Sequence, residues 1–182
     1  MNIADVFGDL PVLETERTIL RKVTLQDAED LYAYASDEEV SKYTTWHPHR
    51  SIEDTRQFIC QIIQKYENKE IAPWGIEDKH TGTFIGTCGF GHWNTRHARA
   101  EIAYILSRTY WNQGYMTEIV KRMIQFGFEK MGLVRIEARC HPENIASARV
   151  MEKAGMQFEG ILRKHLFARG VHQDVKMYSI IK

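Results

Sequence analysis

The stretch Arg108-Thr-Tyr-Trp-Asn-Gln-Gly-Tyr-Met-Thr-Glu118 carries the strongest chemical signal in the chain. An apolar run, Ala98–Leu106, precedes it and reads as a strand. Ile119, Val120, Met123, Ile124, Phe126 and Gly127 follow at helical spacing and mark one buried face. Between them Gly114 can take backbone angles that a side chain forbids. A strand that turns sharply into a helix leaves the first helical N–H groups unpaired and aimed at one spot, and the aligned peptide dipoles add partial positive charge there. Gly114, Tyr115, Met116 and Thr117 therefore read as a cradle for an anion, phosphate above all. The same pattern also describes a plain tight connection, and the glycine alone does not decide between the two.

Other chemistries find less support. The eight histidines form no His-x-x-x-His pair; His47 and His49 flank Pro48, and His92 and His97 bracket a polar loop, so no metal site is expected. Cys60, Cys88 and Cys140 are odd in number and far apart, as reduced thiols are, rather than a disulfide framework. No serine or cysteine shows a nucleophile elbow or an evident histidine partner, so no acyl-enzyme is expected.

The elements that must position the turn follow from periodicity and punctuation. Thr15–Val23 reads as a first strand, and Thr24 with Asp27 opens a helix through Leu31, Tyr32 and Ala35. The segment Asp37–Arg50 breaks the period. Ser51 and Asp54 cap a second helix, Ile52 to about Tyr66, whose Phe58, Ile59, Ile62 and Ile63 form one stripe. Pro73–Lys79 and Thr83–Phe90 suit a hairpin, with Gly86, Gly89 and Gly91 marking a bulge or a close backbone approach. A polar loop, His92–His97, leads to Ala98–Leu106, the glycine turn and a helix ending near Gly132. Leu133–Cys140 is a further strand, stopped at His141-Pro142. Asn144 caps a short helix closed by Gly155, and Met156–Ala168 with Val171–Ile181 make a closing hairpin.

At 182 residues, with 43% hydrophobic and 26% charged residues, the chain suits one domain, 1–182, with 1–12 as an N-terminal extension. Its 24 basic and 24 acidic residues cancel, so no broad electrostatic footprint for nucleic acid is expected. No apolar run approaches a membrane span, and the first ten residues hold two acids and no base, unlike a secretory signal. A cytoplasmic protein is expected.

Taken with His141-Pro-Glu-Asn144-Ile-Ala-Ser147 and Glu152-Lys-Ala-Gly155-Met-Gln-Phe-Glu159-Gly160, the turn makes the chain resemble the GCN5-related N-acetyltransferase (GNAT) family. Within that family it is most similar to the ribosomal-protein N-terminal alanine and serine acetyltransferases, over essentially its whole length. The resemblance implies an α/β (α+β mixed) single-domain fold: a mixed, mostly antiparallel sheet of about seven strands with four helices. Its middle strands, here Ala98–Leu106 and Leu133–Cys140, splay apart. Acetyl-CoA would lie in the gap, its pantetheine arm along Tyr104, Ile105 and Leu106. Its pyrophosphate would sit on the turn formed by Trp111, Asn112, Gln113, Gly114, Tyr115, Met116 and Thr117, with Asn144 and Ser147 facing the cofactor, and CoA would leave as product. Two positions depart from the family pattern. Met116 stands where glycine or alanine is usual, and Met151 stands where many relatives carry a tyrosine that protonates the departing thiolate. Ser147 is then the nearest hydroxyl for that task.

Transfer in such relatives is direct and needs a neutral amine, an oxyanion donor and a proton for sulfur. A backbone N–H near Tyr104 or Ile105 would meet the oxyanion. Glu101 is the candidate base, with a solvated strand-end acid or an anchor for the substrate ammonium as its other readings. Tyr43 and Trp46, in the irregular segment, would line the acceptor pocket, and Asp174 would bind the amine or merely pair with Arg169. The acceptor implied is a protein N-terminal amine, of ribosomal type; a small amine (polyamine, amino acid or aminoglycoside-like antibiotic) and a non-catalytic CoA-ester-binding module are the alternatives. A homodimer is common in this branch.

Overall fold

Apolar alternation and glycine punctuation resolve, in the computed structural model describing residues 2–182, into one mixed sheet flanked by helices. In chain order the elements are α1 (Ile3–Phe7), β1 (Leu13–Glu14), β2 (Thr18–Arg21), α2 (Ala28–Ala35), α3 (Glu38–Ser41), α4 (Ile52–Glu67), β3 (Trp74–Asp78) and β4 (Phe84–Asn94). They continue as β5 (Arg99–Leu106), α5 (Tyr115–Lys130), β6 (Arg135–Cys140), α6 (Ile145–Lys153), β7 (Gln157–Ala168) and β8 (Val171–Ile181). The eight strands lie in the order β1-β2-β3-β4-β5-β6-β8-β7. Every neighbouring pair is antiparallel except β5 with β6, which is parallel.

The family fold expected from the sequence is present, with one more strand and two more helices than the sequence reading. These extra elements are too short to show a period. β1 has two residues, and α1 has five, capped by Asn2 accepting from the Asp5 N–H. The α1 residue Phe7 is held in the core by the Trp74 ring, 5.7 Å away. The third, α3, lies within the segment read as irregular, where the Asp37 side chain accepts from the Glu39 N–H. β4 runs on through what read as a polar loop, because Gly91 and Asn94 pair with Glu101 and Arg99 across a bulge at which His92 takes φ 47°. The first strand is narrower than its reading, and the α4 stripe is narrower by Phe58, which is 38% exposed while Ile59 and Ile62 are buried.

α5 presses Met116, Ile119, Val120, Met123 and Phe126 onto the sheet over Ala100, Ile102 and Ile136. A second cluster joins α2 and α4 through Leu31, Tyr34, Ile59 and Ile62 to Val23 and Phe84. Gly86 belongs where the backbones crowd: a Cβ there would stand 2.2 Å from the Ile105 carbonyl oxygen. No helix among the described residues is long and apolar enough to cross a membrane.

The feature that positions the site is a fork. β5 pairs with β6 only at Arg99, Ala100 and Glu101, opposite Arg135, Ile136 and Glu137. Beyond Glu101, β5 stays on β4 as far as Leu106, while β6 stays on β8 as far as Cys140. The two strands part and leave a cleft of about 1060 Å³ between them.

Candidate active site

At one end of the cleft lies the turn. Gly114 caps α5 with φ 79° and ψ 0°, in the left-handed region that an L side chain adopts only under strain. The first N–H of α5 to find a helical partner is that of Glu118, on the Gly114 carbonyl at 3.1 Å. Those of Tyr115, Met116 and Thr117 precede it and are free to meet a ligand. The Met116 side chain is buried in the core at 5% exposure, so its bulk does not fill the cradle.

Arg17 locks this turn from another part of the sheet. Its Nη1 donates to the Gln113 carbonyl at 2.8 Å, its Nε to Glu118 Oε2 at 2.9 Å, and its backbone N–H to Glu118 Oε1 at 3.0 Å. Its guanidinium stacks 4.1 Å from the Tyr115 ring centroid. Burial works against the Glu118 charge, yet hydrogen bonds from Thr15 and Arg17 outweigh it and hold that carboxyl below its ordinary range. On the other flank, Trp111 Nε1 donates to the Leu106 carbonyl at 2.8 Å and ties the turn to the end of β5.

The fork supplies main-chain groups. The Ser107 N–H donates to the Ile85 carbonyl at 2.7 Å, toward β4. Adjacent residues of a strand turn their N–H groups to opposite sides. Ile105 therefore faces β4, and the Tyr104 N–H faces the opening. Of the two oxyanion donors the sequence left open, only Tyr104 is aimed into the cleft.

Side chains complete it. Glu101, at the last paired position, forms an ion pair with Arg139 of β6 at 2.9 Å. Burial pushes the Glu101 carboxyl up; the Arg139 charge opposes that shift and does not cancel it. Asn144 caps α6 by accepting from the Ser147 N–H at 3.1 Å. The Tyr104 hydroxyl shares a 2.9 Å hydrogen bond with Ser147 Oγ, and donates to the Ser147 carbonyl at 3.2 Å. Met151 is fully buried and presents no polar group to the cleft. Burial holds the Cys140 thiol up at about 11, so the cleft offers no thiolate at neutral pH.

Glu101, Tyr104, Ile105, Leu106, Trp111, Asn112, Gly114, Tyr115, Met116, Thr117, Asn144 and Ser147 all line this one cleft, and Tyr43 and Trp46 line its far rim. Two residues stand apart from the lining. The Gln113 side chain donates to the Thr109 carbonyl at 2.8 Å, and Asp174 accepts from the Lys164 N–H at 2.8 Å inside the β7–β8 hairpin. Nor does Asp174 hold Arg169, which donates instead to the carbonyls of Ser41 and Trp46 and straps the rim to the hairpin tip. Tyr43 stacks on His141 with centroids 5.1 Å apart. Arg17 and Arg139 escaped the sequence reading because their partners lie far along the chain, and Arg169 entered it only as a partner for Asp174.

The profile of the acetyltransferase (GNAT) domain matches residues 17–157. The chain belongs to this acetyltransferase family. It is 39% identical to the uncharacterized N-acetyltransferase YoaA of Bacillus subtilis, over 94% of this chain and 97% of that one. A GNAT-family acetyltransferase from Bacillus anthracis superposes with a TM-score of 0.82 at 31% identity, covering 94% and 98% of the two chains. RimL, a ribosomal L7/L12 alpha-N-protein acetyltransferase solved in complex with coenzyme A, shares the fold at a TM-score of 0.80 and 19% identity, over 94% and 98%. As a family member the protein is an N-acetyltransferase.

Proposed function

We propose that this chain moves the acetyl group of acetyl-CoA directly to the α-amino group of a protein N terminus. The observation that carries the reading is the parting of β5 from β6 after Glu101. That fork leaves strand-edge groups for an extended pantetheine arm and opens toward the free N–H groups of the α5 turn, where a diphosphate is stabilised.

Within the cleft the thioester carbonyl would accept from the Tyr104 N–H, a donor already in place before charge develops. The acceptor enters past Tyr43 and Trp46. An α-amino group titrates near about 7.7–8.0 and a lysine near about 10.4, a gap worth roughly 3.5 kcal/mol. An N-terminal amine is therefore partly neutral already and asks little of its base. Glu101, ion-paired with Arg139 and pushed up by burial, accepts the amine's proton through water. The absence of a thiolate nucleophile and the main-chain oxyanion donor both fit direct attack.

The test is release of free CoA from acetyl-CoA over a panel of peptides with alanine or serine at the N terminus, polyamines, amino acids and aminoglycosides. Turnover confined to free peptide N termini supports the reading. Turnover on small amines alone replaces the acceptor, and CoA binding without turnover on any amine removes the enzymatic role.

A further inference from the structure

The α6 wall of the cleft carries no phenol. Met151 lies one helical turn beyond Ser147, is fully buried and has no proton to give. Ser147 alone is a poor substitute, because an aliphatic hydroxyl is a far weaker acid than a phenol, which ionises near about 10. A phenol does reach this place from the opposite wall. Tyr104, on the parted stretch of β5, brings its hydroxyl to 2.9 Å from Ser147 Oγ and 3.2 Å from the Ser147 carbonyl, and both residues line the cleft. Its backbone N–H and its hydroxyl thus serve the same opening.

Resting on the acetyl-transfer reading, we propose that Tyr104, held in place by Ser147, supplies the proton that the departing CoA sulfur takes. The amine lone pair forms the new C–N bond and the carbonyl π pair moves onto oxygen, facing the Tyr104 N–H. When the carbonyl reforms, the C–S bonding pair leaves on sulfur, and sulfur takes the Tyr104 hydroxyl proton. The adduct nitrogen gives its surplus proton through water to Glu101, Glu101 returns it to solvent, and the Tyr104 phenolate takes one back from solvent. The balance is one amine and one thioester consumed, one amide and one thiol formed.

The surroundings suit a proton donor. Burial holds the phenol above its ordinary range, against the opposing hydrogen bond from Ser147, so Tyr104 stays protonated through neutral pH. The titratable groups acting on it are Cys88 of β4, Cys140 of β6 and Tyr178 of β8. Burial pushes each of these up as well, so none carries charge at neutral pH. In this scheme Ser147 is a positioning residue, and Tyr104 is the group that touches the reacting atom.

The experiment is a pH–rate profile with whichever primary amine the wild-type chain acetylates, so a wrong acceptor class leaves it standing. Tyr104→Phe is expected to lower kcat about 100-fold and to leave KM for acetyl-CoA within about twofold. Burial holds the native phenol too high to ionise in the assayed range, so a 3,5-difluorotyrosine at position 104, a far more acidic phenol of nearly the same shape, is expected to introduce an alkaline fall in kcat that the wild type lacks. Ser147→Ala is expected to cost about tenfold, with Ser147→Thr restoring most of it. Wild-type kcat in Tyr104→Phe, or a pH–rate profile that keeps the wild-type shape with the fluorinated phenol, overturns the proposal. Circular dichroism melting of both Tyr104 variants separates a lost proton from a lost fold.

Discussion

The two ends of the cleft are built from different materials. The turn end is main chain: a left-handed glycine, the first amides of α5 and a strand edge, pinned by Arg17, Glu118 and the Trp111 indole. The rim end is side chain, assembled from segments that never pair as strands. Tyr43 leans on His141, Arg169 straps the Ser41 and Trp46 carbonyls, and Arg108 reaches Asp37 at 2.9 Å. A diphosphate presents the same charge to any protein, and fixed amides suffice to hold it. An acceptor must be told from its competitors, which takes shape and replaceable side chains.

That contrast can be broken most forcefully at Gly114. Gly114→Glu places a side chain at φ 79° and a carboxylate at the anion cradle, with Arg17 Nη2 only 3.4 Å from the new Cβ. CoA affinity is expected to fall at least about 100-fold by calorimetry. At the fork, Glu101→Gln is expected to lower kcat by about 100-fold while CoA affinity holds. The sign of its pH effect follows from burial. The carboxyl sits above its ordinary 4.5, so wild-type activity should fail on acidification at a pH above that value, and the variant should lose this acid limb. Removing the Arg139 charge, as Arg139→Gln, should carry the limb higher still.

Smaller effects separate the two ends. Arg17→Ala is expected to weaken CoA binding about tenfold and leave the acceptor KM alone, since the Arg17 guanidinium braces the turn and the first residues of α5. Arg169→Ala should do the reverse, raising the acceptor KM about threefold with CoA affinity unchanged. Equal effects of both variants on both ligands would dissolve the distinction. Smallest of all is Glu159, whose carboxyl is held down at about 2 by hydrogen bonds from Arg135 and Ser179. Its contribution to stability is present above its unfolded pKa and lost as pH falls toward 2. Melting curves of Glu159→Gln and the wild type should therefore converge in that acidic window.

Legibility in the sequence tracks the same division. The glycine turn, the strand before it and the helix after it were readable because local spacing dictates them. The Ser51 and Asn144 caps were readable for the same reason, each accepting from the N–H three residues on. Gly86 and Gly89 signalled close backbone approach, and both lie where a Cβ would collide. What local spacing cannot carry is a partner about a hundred residues away. Arg17 on Glu118 and Arg169 on Trp46 look like ordinary surface arginines until the sheet is assembled. Tyr104 was legible as a strand residue beside the cleft. Its hydroxyl could not be placed on Ser147, because that contact exists only once the fork has opened. Asp174 is the reverse case, a polar residue whose carboxylate accepts from the hairpin's own Lys164 N–H and stands outside the cleft lining.

The central claim is that CoA occupies the fork between β5 and β6 and seats its diphosphate on the α5 turn. Amide hydrogen exchange with and without CoA tests it most directly. Protection concentrated in peptides covering residues 102–106 and 115–118, and absent in Gly114→Glu, is the predicted result. Protection elsewhere with those two stretches unchanged, or the same protection in the variant, would contradict it.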